Sequence, residues 1–114
     1  MEFLPAVKVQ GDQDTYEISP EMKPYTLLDL GFEKTKRGNY KYSGSLDRKN
    51  PFKPAARLII TVASDLSGMK METVNATGFN KVNIFKNARS EEFTLQYHFI
   101  IDEMVERGLF VKKD

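Results

Sequence analysis

A histidine and an aspartate four positions apart are the residues of this sequence best suited to acid–base chemistry. His98 is the only histidine, and Asp102 follows it by one helical turn. A carboxylate beside an imidazole can orient the ring as a general base. The same spacing is typical of a surface pair on a helix, which contributes about 0.3 kcal/mol. Because the sequence places no nucleophile beside His98, we favour the surface pair and keep both residues as weak catalytic candidates.

The sequence contains no other residue pattern or motif typical of catalysis or of metal binding. The absence of cysteine excludes a thiol nucleophile and every thiolate metal site. One histidine and scattered carboxylates suit hard cations at best, so we predict no metal site. The chain also lacks the glycine spacings of phosphate-binding and dinucleotide-binding loops and the pentapeptide of serine hydrolases. We therefore expect no cofactor, and the residues favour a protein that is not an enzyme.

Basic residues are concentrated in the segment 33–57, which has eight lysines and arginines against two acids. Aromatic residues lie among these cations, as in surfaces that stack the bases and pair with the phosphates of single-stranded RNA. An RNA-binding module is therefore the alternative function, with the candidate residues Lys34, Lys36, Arg37, Tyr40 and Lys41. A solvated hairpin whose cations face the protein's own acidic helix explains the same pattern, and we favour that simpler explanation.

Length and composition are typical of a single globular domain over residues 1–114. The net charge of +1 indicates no general attraction to nucleic acid or membrane. The longest strongly apolar run, 58–63, is far shorter than the roughly 20 residues that span a bilayer. Glu2, Pro5 and Lys8 interrupt any apolar core of a signal peptide. We expect a cytosolic protein with no membrane partner.

Alternation of apolar residues predicts several short strands. The run 58–63 is apolar on both faces, which is typical of a central strand covered on both sides. Partner strands are predicted at 32–36, 39–43 and 69–73, and further strands at 7–9, 15–18, 82–85 and 109–111.

The segment 90–107 has the strongest secondary-structure signals. Ser90 suits an N-cap and Gly108 suits the residue that ends a helix. Leu95 and Phe99 lie opposite a first apolar stripe that contains Phe93, Tyr97, Ile100, Ile101 and Met104. Two stripes predict a helix covered on two sides. The predicted fold class is α+β, with two antiparallel β-sheets, or one strongly bent sheet, packed on a single long C-terminal helix.

Several segments of the sequence, taken together, resemble those of a small domain-of-unknown-function family of Gram-positive bacteria. They are Leu30-Gly31-Phe32-Glu33-Lys34-Thr35-Lys36 with Gly38-Asn39-Tyr40, Leu58-Ile59-Ile60-Thr61-Val62 with Met69-Lys70-Met71, Val82-Asn83-Ile84-Phe85-Lys86, and the final helix. The resemblance extends over nearly the whole chain. It implies two sheets packed against one helix, a distant likeness in fold to prokaryotic S-adenosylmethionine decarboxylases, and a role in amino-acid metabolism.

The pyruvoyl chemistry of those decarboxylases has no counterpart in these residues. The likeness to the decarboxylases would imply a pyruvoyl group formed by cleavage of the chain between a glutamate and a serine. This sequence contains no Glu-Ser pair. The cysteine proton donor of those enzymes is absent as well. We therefore expect a non-catalytic accessory or small-ligand-binding protein of amino-acid metabolism, near sulfur or methionine chemistry. Its expected partner is an amino-acid-related ligand or another protein.

Overall fold

Short strands and one long helix make up the chain in the computed structural model, which describes residues 3–50 and 52–113. In chain order the elements are β1 (Ala6–Val7), β2 (Thr15–Ile18), α1 (Pro24–Asp29), β3 (Glu33–Lys34), β4 (Tyr40–Ser45), β5 (Arg57–Val62), β6 (Met69–Val74), a 3-10 helix (Ile84–Lys86), α2 (Ser90–Glu106) and β7 (Phe110–Lys113).

The strands form two antiparallel sheets. The first has the order β3-β4-β5-β6, and the second has the order β1-β2-β7. In the first sheet Tyr42 lies opposite Ile60, and Ile60 lies opposite Met71, so these residues share the face that packs into the core. The strand β5 is central, as predicted. On its second face Ile59 is only 8% exposed, whereas Thr61 is half-buried and lines a depression at the surface, so the expectation that β5 is covered on both sides holds for Ile59 and is wrong for Thr61.

A backbone bridge joins the two sheets near the N-terminus. Leu4 and Met69 exchange two hydrogen bonds, with N···O distances of 3.1 and 2.8 Å. Leu4 lies two residues before β1, and Met69 begins β6, so the bridge connects the edge of one sheet to the edge of the other. The predicted α+β fold, with antiparallel sheets on one long helix near the C-terminus, is confirmed.

The helix α2 is buried on one side only. The stripe that faces the core consists of Phe93, Tyr97, Ile100, Ile101 and Met104. Leu95 and Phe99 are 68% and 67% exposed, so the prediction of a helix covered on two sides is wrong. The two sheets share one core cluster with the buried stripe, so both of them pack against the same side of α2. None of the helices in residues 3–50 and 52–113 is long and apolar enough to span a bilayer.

The segment before α2 also differs from its prediction. Residues 82–85 were expected to form a strand, but Ile84–Lys86 is a 3-10 helix. The side chain of Asn83 accepts a hydrogen bond from the backbone N–H of Phe85 at 3.0 Å, which favours a local turn over strand pairing. The turn directs Phe85 toward α2, where its ring centroid lies 5.9 Å from that of Tyr97 in an edge-to-face contact.

Candidate functional site

The open face of the four-stranded sheet carries polar and charged residues around a small apolar centre. We call it the outer face, and on β4, β5 and β6 it comprises Lys41, Ser43, Arg57, Ile59, Thr61, Lys70 and Glu72. The register places Lys41, Thr61 and Lys70 in one row across the sheet, with Ser43, Ile59 and Glu72 in the adjacent row. Paired positions present their side chains on the same face, so these rows form one surface.

Two adjoining depressions, of about 430 and 560 Å³, open on the outer face. Thr35, Lys41 and Ile59 line both of them. The further charged residues are Lys34, Arg57 and Glu33 in the first depression and Lys36, Arg37, Lys70 and Glu72 in the second. With Lys41 counted once, six cations and two acids surround the depressions, so this surface attracts anionic groups.

Four of the five residues considered for RNA binding therefore lie on one surface. Lys34, Lys36, Arg37 and Lys41 line the depressions, but Tyr40 belongs to the core and is 7% exposed. A base cannot stack on a ring that is covered in this way. In the part of the chain that the structure describes, no ion pair links these four cations to α2, so the expected pairing with the acidic helix is not observed.

The structure does not join His98 to Asp102. No hydrogen bond links the two side chains within the described ranges, and Asp102 is exposed. The imidazole of His98 instead lies near two aromatic rings, with centroid distances of 5.1 Å to Tyr97 and 6.4 Å to Phe85. The weak catalytic pair thus lacks the contact by which a carboxylate orients a base.

His98 lies instead beside two aspartates from the turn before β2. Ligand atoms of Asp12, Asp14 and His98 all lie within 4.8 Å of one another. The buried carboxylate of Asp12 accepts a hydrogen bond from the Tyr97 hydroxyl at 2.7 Å and another from the backbone N–H of Asp14 at 3.0 Å. Lys112 on β7 lies 3.3 Å from the carboxylate of Asp14. We call Asp12, Asp14 and His98 the acidic cluster.

Two buried phenols adjoin the acidic cluster. Burial raises the pKa of Tyr97, and its hydrogen bond to Asp12 raises the pKa further. Burial also raises the pKa of Tyr16, with added contributions from the nearby carboxylates of Asp12 and Asp14. Both phenols are therefore neutral over the physiological range. The Tyr16 hydroxyl has no hydrogen-bond partner in the described part of the chain, although the whole side chain is buried.

A second buried carboxylate, Asp47, connects the loop after β4 to the start of α2. It accepts two hydrogen bonds from the Arg89 guanidinium, at 2.6 and 3.2 Å, and one from the backbone N–H of Ala55 at 3.0 Å. Arg89 also contacts Glu92 at 2.7 Å and lies 4.9 Å over the ring of Phe93. The Arg89 hydrogen bond, followed by that of Ala55, holds the pKa of Asp47 well below its usual range. These contacts make Asp47 a structural residue.

The elements above define an α+β domain in which two antiparallel sheets pack on one long helix. The model of the DUF1831 family, described as "Putative amino acid metabolism", matches residues 1–111. The chain therefore belongs to the DUF1831 family, which confirms the resemblance seen in its sequence. A crystal structure of a DUF1831 family protein from Lactobacillus plantarum is similar to it, with 40% identity, a TM-score of 0.92 and 99% of each chain covered. No curated protein matches the chain.

Proposed function

We propose that this protein binds a small amino-acid-derived ligand on the outer face and holds it by its carboxylate. The observation that carries the proposal is the position of Lys41 and Arg57 beside Ile59 in the first depression. Lysine and arginine form charge-assisted hydrogen bonds with carboxylates, and arginine can form two at once. The family description supports an amino-acid compound as the class of ligand.

Arg57 has unused hydrogen-bonding capacity at this position. Its Nε is buried without a hydrogen-bond partner among the described residues. A guanidinium has five N–H donors in a fixed plane, and Arg57 lines the depression, so its terminal N–H groups are available in this proposal to pair with a planar carboxylate. The backbone of Arg57 is held in β5 between Ser45 and Val74, and its side chain lines the depression.

The first depression also offers partners for the other groups of an amino acid. Glu33 lies directly opposite Lys41 in the β3–β4 register and lines the same depression, so it can pair with an ammonium group. Ile59 also lines the depression, where its exposed part, 8% of the residue, is a small apolar contact for a side chain such as that of methionine. A ligand that carries a carboxylate, an ammonium group and an apolar chain thus meets three complementary groups within one depression.

The proposal predicts that an amino-acid ligand stabilises the folded protein. The panel consists of methionine, S-adenosylmethionine, related thioethers and the remaining common amino acids. A true ligand at 100 times its dissociation constant adds about 2.7 kcal/mol to stability, which corresponds to a rise in melting temperature of about 10 °C. We expect Arg57→Gln and Lys41→Gln each to remove most of that rise, because each removes a charge that the carboxylate needs.

A matched control is Lys113→Gln on the second sheet, where Lys113 pairs with Glu17 at 3.2 Å. That variant should keep the full ligand response, since the pair is at the surface and away from the outer face. Melting of each variant without ligand verifies that it is folded. A flat response of the wild-type protein across the panel would exclude the proposed ligand class. A response that Arg57→Gln and Lys41→Gln leave unchanged would exclude the outer face as its site.

Binding of single-stranded RNA is the second candidate, and the grouping of Lys34, Lys36, Arg37 and Lys41 on one surface favours it. Its affinity should fall with salt by about 0.7 logarithmic units per tenfold change for each phosphate neutralised. Reversal of these four charges should abolish binding of a fluorescent homopolymer. The absence of binding by the wild-type protein at low salt would end this candidate, and it would leave the amino-acid ligand untouched.

A further inference from the structure

The acidic cluster lies at the edge of the second sheet and is independent of the outer face. Asp12 and Asp14 come from the turn before β2, and His98 comes from the middle of α2. We infer that Asp12, Asp14 and His98 bind a divalent transition-metal ion such as Zn²⁺. The sequence alone did not indicate this site, because the two aspartates and the histidine are separated by more than eighty residues.

The donor set suits an ion of intermediate hardness. Imidazole nitrogen is a good ligand for Zn²⁺, Fe²⁺ and Co²⁺, while two carboxylates add negative charge and hard oxygen donors. A tetrahedral Zn²⁺ ion with bonds of 2.0–2.2 Å holds its ligand atoms about 3.4 Å apart. The three donors lie within 4.8 Å of one another, so modest rotations of the half-buried side chains of Asp14 and His98 bring them to that spacing.

A second, independent feature indicates that the cluster lacks a partner. Tyr16 is completely buried, and its hydroxyl has no hydrogen-bond partner in the described ranges. Buried polar groups in native proteins nearly always have one, so an unpaired phenol indicates a ligand or its bound water at this place. Tyr16 lies opposite Lys112 in the β2–β7 register, and Lys112 contacts Asp14 of the cluster at 3.3 Å, so the phenol belongs to the same part of the fold.

The local charge balance favours a cation. Asp12 and Asp14 contribute two carboxylates, and the ammonium group of Lys112 contacts one of them, 3.3 Å from Asp14. The ammonium group of Lys112 competes with a metal ion for the same carboxylate oxygen. Three protein ligands also leave a fourth tetrahedral position for water or a substrate atom, as in catalytic zinc sites.

The test is titration of the chelator-treated protein with Zn²⁺ by calorimetry and with Co²⁺ by visible absorption. We expect one ion per chain, and a Co²⁺ spectrum that is typical of tetrahedral coordination. His98→Gln and Asp14→Asn should each weaken binding by at least about tenfold, because each removes a ligand atom. Lys112→Gln should strengthen binding, because it removes the competing ammonium group. Both ligand residues are half-buried, so these variants are expected to fold.

Asp29→Asn is the matched control, because Asp29 is an exposed carboxylate at the end of α1, 4.0 Å from Arg107. It should bind Zn²⁺ with the affinity of the wild-type protein. Failure of the wild-type protein to bind one ion per chain would overturn the inference. Binding of equal affinity in His98→Gln and Asp14→Asn would also overturn it, since the ion would then lie elsewhere. Neither result bears on the proposed amino-acid ligand.

Discussion

Phe93→Ala should lower the free energy of unfolding by about 3–5 kcal/mol, whereas Phe99→Ala should lower it by less than about 1 kcal/mol. Both residues lie in α2, so the change in helix propensity is the same and burial is the difference. Phe93 is completely buried under the Arg89 guanidinium, and Phe99 is 67% exposed. Truncation of Phe93 leaves a cavity and removes a cation–π contact, while truncation of Phe99 removes surface that water already covers. Urea denaturation of the two variants measures the difference.

The comparison also reports on association between chains. If Phe99→Ala destabilises the protein strongly at high concentration and weakly at low concentration, the exposed side of α2 is buried in an oligomer. Equal losses in the two variants at all concentrations would contradict the one-sided packing of the helix. Leu95, one turn before Phe99 and also exposed, provides a second variant with the same expected result as Phe99→Ala.

The pattern of apolar residues in the sequence identified the strand and the helix that contribute most to the core. A continuous apolar run located β5, and the spacing of Phe93, Tyr97 and Ile101 located the buried side of α2. It could not show whether Leu95 and Phe99 are covered as well, because that depends on how the two sheets are joined. Both sheets contribute to one core cluster on the same side of the helix, and no local pattern predicts the bridge between Leu4 and Met69 that connects them.

The same limit applies to the sites. The cations of the outer face are close in sequence, so their grouping was visible as a basic segment. The burial of Tyr40 depended on which face of β4 packs inward, and alternation of tyrosines already favoured that result. By contrast, Asp12 meets Tyr97 and His98 only because β2 and β7 pair and bring the turn before β2 to α2. The spacing of Asp12 and Asp14 was the one local signal, and it is common in ordinary turns.

The contact of Asp47 with Arg89 was equally invisible in the sequence, yet it should be among the most important for stability. Asp47 lies in a loop, where polar residues are usually replaceable, but its side chain is completely buried and accepts hydrogen bonds from Arg89, from backbone N–H groups and from the Asn50 amide. Loss of the Asp47 charge weakens every hydrogen bond that this carboxylate accepts, and it leaves the half-buried Arg89 with Glu92 as its remaining carboxylate partner. The loop after β4 would also lose its connection to the start of α2.

We therefore expect Asp47→Asn to lower the melting temperature at pH 7 by at least about 10 °C. Asparagine keeps the size of the side chain but loses the charge that pairs with Arg89, so the loss measures the ion pair rather than a cavity. Asp65→Asn is the matched control. Asp65 also caps a turn, through hydrogen bonds from Ser67, but it is exposed and has no cationic partner in those bonds. Its substitution should have a much smaller effect.

The pH dependence of Asp47→Asn separates the ion pair from other causes of instability. Because the folded protein holds the pKa of Asp47 below its unfolded value of about 3.9, the carboxylate stabilises the fold above that value, and the benefit is lost as the pH falls through the folded pKa. The wild-type protein should thus lose melting temperature below about pH 4, while Asp47→Asn lacks this contribution at every pH. The two melting curves should converge in acid. A difference that stays constant from pH 7 into strong acid would show that Asp47 does not act through its charge.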